Sequence, residues 1–243
     1  MRVTRVFVPE PLAPEGEQTL QGAPANHITR VLRLRRGDAL VVFDGRGGHY
    51  PASILDLRKD AVLIRVGAHL AAERESPLVI TLAQGVSRGE RMDWVMQKAT
   101  ELGVSRIVPV LTERSVVRLD ERQADNRLRH WRAVIVAACE QCGRNRIPEL
   151  VPPTSLDALL AGAAPQERRL MLSPQGETRV EELEGGPRPV MLLVGPEGGL
   201  AEAEQGAARA AGFLALRLGP RVLRTETAAL AALTALQLRL GDL

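Results

Sequence analysis

Apolar residues change their rhythm once along this chain. Up to about residue 72 they form short alternating or continuous runs: Val3–Val8, Ala39–Phe43, His49–Leu57 and Ala61–Val66. Runs of that length and spacing predict strands. Turn signals separate them at Arg36-Gly37-Asp38, Asp44 to Gly48 and Lys59-Asp60. One short helix, Ala25–Leu32, interrupts the strands, with Pro24 near its start. The set predicts a small β-barrel over 1–72. His69–Pro77 is polar, charged and ends in proline. It reads as the linker, with 73–77 its core, and a second domain follows over 78–243.

From Leu78 strands and helices alternate. Strands are expected at Leu78–Ala83, Ile107–Leu111, 168–172, 189–194 and 213–217, and helices at Glu90–Leu102, 124–140, 201–211 and 224–240. In the first of these helices Met92, Val95, Met96, Ala99 and Leu102 recur at helical spacing, and Gly103 closes it. Such alternation predicts an α/β fold, a mainly parallel sheet with helices on both faces. The last helix, rich in Ala and Leu, suits a core or a subunit contact.

Composition narrows the function classes. Formal net charge is only +3, yet Lys59 and Lys98 are the sole lysines among 32 basic residues. Arginine binds phosphate bidentately and stacks on bases, which fits an RNA partner. A GC-rich genome produces the same bias. Six aromatic residues (Phe7, Phe43, Tyr50, Trp94, Trp131 and Phe213) argue against a broad base-stacking platform. Cys139 and Cys142 lack a second pair to close a metal site, and their place inside an expected helix does not suit a redox motif. No metal is expected. No run approaches a membrane span and the first ten residues do not form a signal peptide, so a cytoplasmic protein off the membrane is expected.

Two segments carry most of the chemistry. Val194-Gly195-Pro196-Glu197-Gly198-Gly199-Leu200 follows an apolar run, and Leu218 to Ala228 follows another. Each reads as a strand end that turns into a helix, the place where ligands bind in open α/β sheets. Neither has the GxGxxG spacing of a dinucleotide site or the GKS/T of a phosphate loop. Pro196 also removes an amide donor. The glycines instead permit close backbone approach to a flat ligand. A plain turn, with Glu202 and Glu204 favouring the next helix, reads from the same residues. In the second segment Arg221 and Arg224 lie near Glu226, and Thr225 suits an N-cap. A structural salt bridge is the alternative there.

Further arginines frame the crevice or a nucleic-acid surface. Arg88 and Arg91 follow the first strand of the second domain. Arg144 and Arg146 flank the stop at Gly143, where they suit either a helix C-terminus or phosphate. Arg30, Arg33, Arg35 and Arg36 crowd seven residues, with Arg30 and Arg33 expected on one helical face.

At these residues the chain resembles the RsmE family of 16S ribosomal RNA (uracil-N3) methyltransferases, of the SPOUT or α/β-knot class. The matching stretches are ANHITRVLRLRRGDAL, SRGERMDWVMQKATELGVSRIVPV, CEQCGRNRIPE, LLVGPEGGL and LGPRVLRTETAAL, spread from about residue 2 to 242. The resemblance implies a PUA-like RNA-binding barrel and a SPOUT sheet with a trefoil knot, a rare exception to unknotted topology. It implies a homodimer with S-adenosylmethionine as cofactor and 16S rRNA or the assembled small subunit as substrate. Cofactor contacts carry over to Leu172, Ser173, Val194, Gly195, Pro196, Glu197, Gly198, Gly199, Leu200, Leu218, Gly219, Leu223, Arg224, Thr225, Glu226, Thr227 and Ala228. In the implied reaction the methyl goes to uracil N3. Arg221 and Arg224 then steady the uridine anion or meet phosphate, and Glu226 or Glu197 orients an arginine, a reading preferred over capping a loop or accepting the proton. A histidine base is not expected, since His130 is the only histidine after His69. Arg30, Arg33, Arg35, Arg88, Arg91, Arg144 and Arg146 are the expected RNA contacts. A non-catalytic RNA-binding assembly factor and a SPOUT enzyme with another RNA are the rival readings.

Overall fold

The computed structural model describes residues 4–115, 121–162, 166–184, 186 and 188–243. Val3, where the first strand was expected to begin, lies outside them. Two compact units are present: Met1–Glu75 with Val136–Ile147, and Ser76–Ile135 with Pro148–Leu243.

In the first unit, Arg5–Phe7 (β1), Glu17–Gln21 (β2), Ala39–Phe43 (β3), Tyr50–Arg58 (β4) and Ala61–Val66 (β5) form one sheet in the order β1-β3-β4-β5-β2. β1 pairs with β3 in parallel and the other pairings are antiparallel. Alternation works as expected: Leu40 and Val42 on β3, Tyr50, Ala52 and Ile54 on β4, and Val62, Ile64 and Val66 on β5 all enter one core. The sheet is curled, with β1 and β2 as its edges. β2 was not anticipated, because its sequence EQTLQ buries only Leu20.

The expected helix at Ala25–Leu32 is a short helix, Gly22–Asn26 (α1), that widens into a π turn over His27–Val31. Leu32 N–H reaches back to His27 O, and Arg33 then takes a left-handed φ of 52°. Arg30 and Arg33 therefore do not share a helical face. Both are exposed, as are Arg35 and Arg36.

The stretch Val136–Ile147 groups with this unit for a polar reason. Phe7 N–H donates to Glu140, and Arg5 donates to Asn145 Oδ1 at 2.6 Å and to Arg144 O. Glu75, inside the expected linker, accepts from Arg144 Nε at 2.9 Å and Nη2 at 2.6 Å, and from the backbone N–H groups of Asn145 and Arg146. Burial pushes the Glu140 carboxyl up from its ordinary value, against the pull of Phe7 N–H, His27 and Arg5.

The second unit is built on Ile80–Gly85 (β6), Arg106–Leu111 (β7), Glu149–Leu150 (β8), Thr154–Ser155 (β9), Arg168–Leu172 (β10), Thr178–Arg179 (β11), Val190–Val194 (β12) and Leu214–Arg217 (β13). Their order is β11-β13-β10-β12-β6-β7-β8, with β9 also on β7, and every pairing is parallel. All residues of β6 and β12 are buried, as central strands covered on both faces require. Helices are Glu90–Glu101 (α2), Glu121–Cys142 (α3), Leu156–Ala161 (α4), Glu202–Ala210 (α5) and Thr225–Leu240 (α6). Leu156 and Leu159 of α4 and Ala208 of α5 share a core with Ala83, Val108, Met171 and Leu193. α2 packs against α6, burying Met92, Val95, Met96 and Ala99 on one and Ala229, Ala232, Leu233 and Leu236 on the other. Gly103 closes α2 with φ 82°, as expected of its C-terminal glycine. The two-residue strands and α4 were not anticipated.

Candidate functional site

The C-terminal ends of β10, β12 and β13 converge on a cavity of about 640 Å³. That size suits a small-molecule site. Three loops line it rather than two: Leu172 to Gln175, Val194 to Leu200, and Leu218 to Glu226, joined by Leu216, Ala228, Arg91, Arg114 and Gln205. Of the expected cofactor residues, all but Thr227 line the cavity; Thr227 is exposed.

The glycine-rich loop is held from every side. Its backbone lies against Gly85 of β6, where a Cβ would come within 2.6 Å of Pro196 Cδ and 2.8 Å of Gly195 C. Thr225 Oγ1 donates to Gly195 O at 2.6 Å and accepts from Gln84 Nε2 at 2.9 Å. Thr225 was expected as the N-cap of α6. The N-cap is Arg224 instead, and Thr225 sits buried in the first turn as a tie between strand ends. Arg114 Nη1 donates to Gly198 O at 3.0 Å. Gln205 Nε2 donates to Leu200 O, and Glu204 accepts from the N–H groups of Ala201 and Glu113.

Glu197 links this loop to α2. Its Oε1 accepts from Arg88 N–H at 3.0 Å and Arg91 Nη1 at 2.7 Å. Burial alone would raise its carboxyl, but the bonds from Arg88 N–H, its own backbone and Arg91 hold it below the ordinary value. Arg91 Nε also lies 3.9 Å from Glu226 Oε1. The other oxygen, Glu226 Oε2, is buried without a hydrogen-bond partner. The two glutamates thus orient Arg91, not Arg221 or Arg224.

Arg221 and Arg224 are exposed at the cavity, as is Val222 between them. Arg88 is exposed and meets the loop through its backbone only. One expected RNA contact needs correction: Arg144 is buried on Glu75 with 6% of its side chain exposed, whereas Arg91, paired with Glu197, keeps 43% of its side chain exposed. Arg146 stays exposed beside Glu73 at 3.5 Å. Arg114, Pro174, Gln175, Gln205, Leu216 and Val222 were missed. Only Arg114, an arginine at a strand end, carried a local signal like the one that marked Arg88 and Arg91.

His130 does not line the cavity and pairs with Asp93 at 2.8 Å. Cys139 and Cys142 are free thiols, and burial pushes Cys139 up to about 12. Among the described residues no cluster of His, Cys, Asp and Glu is arranged to hold a metal ion. None of their helices is long and apolar enough to cross a membrane.

Residues 74–237 match the RNA methyltransferase domain family, and residues 20–67 match the RNA methyltransferase PUA domain family. The ribosomal RNA small subunit methyltransferase E of Buchnera aphidicola (Schizaphis graminum) is 33% identical over 100% of this chain and 98% of its own length. The Bacillus subtilis protein of that name is 32% identical over 90% and 88%. A methyltransferase structure from Legionella pneumophila, in complex with the bound cofactor SAM, superposes with a TM-score of 0.97 at 42% identity, covering 100% of both chains. The ribosomal RNA small subunit methyltransferase E of Neisseria gonorrhoeae, bound to S-adenosyl methionine, gives 0.93 at 36% identity over 99% of both. With its parallel sheet and its N-terminal PUA domain, this chain belongs to the ribosomal RNA small subunit methyltransferase E family.

Proposed function

We propose that this chain methylates N3 of a specific uridine in 16S ribosomal RNA, using S-adenosylmethionine. The observation that carries the reading is the cavity at three strand ends, walled by a glycine loop fixed from both sides. Its residues fit the cofactor. Leu172, Leu218 and Leu223 offer apolar walls, the glycines allow close backbone approach, and the unpaired Glu226 Oε2 suits a cationic group. When bound, S-adenosylmethionine supplies an electrophilic methyl on a positively charged sulfur.

The protein's part is positioning and electrostatics. Uracil N3–H is a weak acid, so attack needs the uridine anion to be stabilised. Arg221 and Arg224 sit at the mouth to oppose negative charge on O2 or O4. Glu197 and Glu226 hold Arg91, which keeps the glycine loop in place. We assign RNA capture to a PUA-like domain over 1–72, joined through 73–77 to the methyl-transfer domain over 78–243, with Arg30, Arg33 and Arg35 as contacts.

The reading includes a homodimer in the cytoplasm. Exposed Trp94 and Leu238, on the packed helices α2 and α6, support a subunit contact. The test is incubation with S-adenosylmethionine and small ribosomal subunits lacking the modification, followed by nucleoside mass spectrometry. 3-Methyluridine is the expected product. Its absence with both subunits and free 16S RNA, alongside intact cofactor binding, overturns the uridine N3 assignment.

A further inference from the structure

The charges that line the cavity are sorted by partner. Arg91 stands between Glu197 and Glu226, so two carboxylates face one guanidinium. Arg114, Arg221 and Arg224 also line the cavity, and all three are exposed. Among the described residues none of these three makes an ion pair. The two carboxylates around Arg91 therefore favour a cation, and the three arginines without an ion pair favour an anion.

Arg114 differs from the other two in origin. It follows β7, whereas Arg221 and Arg224 follow β13. In the sheet these strands are separated by β10, β12 and β6. Four strand spacings amount to roughly 19 Å between their axes. Arg114 leans back over Gly198, where a Cβ would lie 3.2 Å from its own Cβ, and gives one N–H to Gly198 O at 3.0 Å. A neutral carbonyl leaves the guanidinium charge uncompensated, and the group has further donors to offer.

We propose that Arg114 is a phosphate anchor for the RNA on the β7 side of the cavity, facing the pair Arg221 and Arg224 on the β13 side. This rests on the function proposed above. Cations rooted on strands four apart in the sheet match a polyanion drawn across the mouth better than the single carboxylate of a small cofactor. Holding Gly198 fixes the guanidinium, so its charge is presented with little loss of side-chain freedom. Arg114 thereby ties the cofactor loop to the position of the RNA.

The test compares wild type, Arg114→Ala and Arg114→Lys. Affinity for unmethylated small ribosomal subunits is measured against salt, and S-adenosylmethionine affinity by calorimetry. Arg114→Ala is expected to weaken RNA binding about tenfold and to reduce the slope of log K against log salt by about one. Arg114→Lys, which keeps the charge, should restore most of the slope, and cofactor affinity in each variant reports the tie to Gly198 separately. An unchanged slope overturns the proposal. So does a loss of about tenfold or more in cofactor affinity at constant slope, which reduces Arg114 to a strut for Gly198. If wild type binds subunits but forms no 3-methyluridine, the reaction assignment fails while the salt slope still judges Arg114.

Discussion

Gly85→Ala isolates the contact on which the site depends. A Cβ at residue 85 would sit 2.6 Å from Pro196 Cδ and 2.8 Å from Gly195 C, and closer still to Pro196 N. Ordinary contact begins near 3.4 Å, so the groups must part by roughly 0.6 to 1.0 Å. None of these atoms is the free end of a side chain. Gly85 itself cannot retreat, because β6 is paired on one side to β12 and on the other to β7, Gly85 opposite Val110. The glycine loop must give instead, against its ties to Thr225, Arg91 and Arg114. Overpacking of this kind costs about 1–3 kcal/mol. Expressed through the cofactor site, that is a loss of about 5- to 150-fold in S-adenosylmethionine affinity. Titration calorimetry on both proteins gives the ratio, and a crystal structure of the variant gives the displacement. An affinity within about twofold of wild type, with the loop unmoved, would refute the argument that close approach at Gly85 shapes the site.

Three further outcomes are expected. Gly206→Ala on the exposed face of α5, where a Cβ meets nothing within 4 Å, should stabilise the protein by about 0.5–1 kcal/mol in a thermal melt and leave turnover unchanged. Arg144→Ala should destabilise by about 3–5 kcal/mol in chemical denaturation, because it strands the carboxylate of Glu75, yet leave the salt slope of RNA binding as in wild type. The anchor at Glu197 should depend on pH in one direction only. Its folded value is depressed, so its contribution is fully present above the ordinary carboxylate value of 4.5 and is lost as pH falls through the lower folded value. Cofactor affinity in Glu197→Gln and wild type should therefore differ by a constant ratio from about pH 6 to 8 and converge only in acid, which calorimetry across pH reads directly.

What could be read in advance follows from where each signal is encoded. β12 is an uninterrupted apolar run because both its faces are covered, and α2 repeats apolar residues on one side because that side packs against α6, which is rich in Ala and Leu. These are local patterns, and local patterns were legible. β2 was not, since a curled edge strand with one buried residue looks like a polar loop. β8, β9 and β11 are two residues each and exist only through their pairing partners. The same division runs through the site. The loops after β12 and β13 declare themselves by several glycines with proline or by alternating charge, whereas Ser173-Pro174-Gln175-Gly176 reads as an uncharged turn.

Thr225, Arg91 and Arg144 show why residue type alone misassigns a role. A threonine before a helix predicts a cap, and an arginine at a strand or helix end predicts a phosphate. Each prediction assumes that the nearest unsatisfied group is local or is solvent. In the folded chain the partners are remote: Gly195 and Gln84 for Thr225, Glu197 for Arg91, Glu75 for Arg144. Those partners sit 30 to 141 positions away. Once they are taken into account, Arg114, Arg221 and Arg224 are the arginines lining the cavity that make no ion pair among the described residues, and Arg91, paired with Glu197, helps keep the glycine loop in place. A charge that is already matched inside the fold adds little to the field outside it. Removing Arg91 should therefore act through the cofactor loop, whereas removing Arg114 should also lower the salt dependence of RNA binding, although both are arginines lining one cavity.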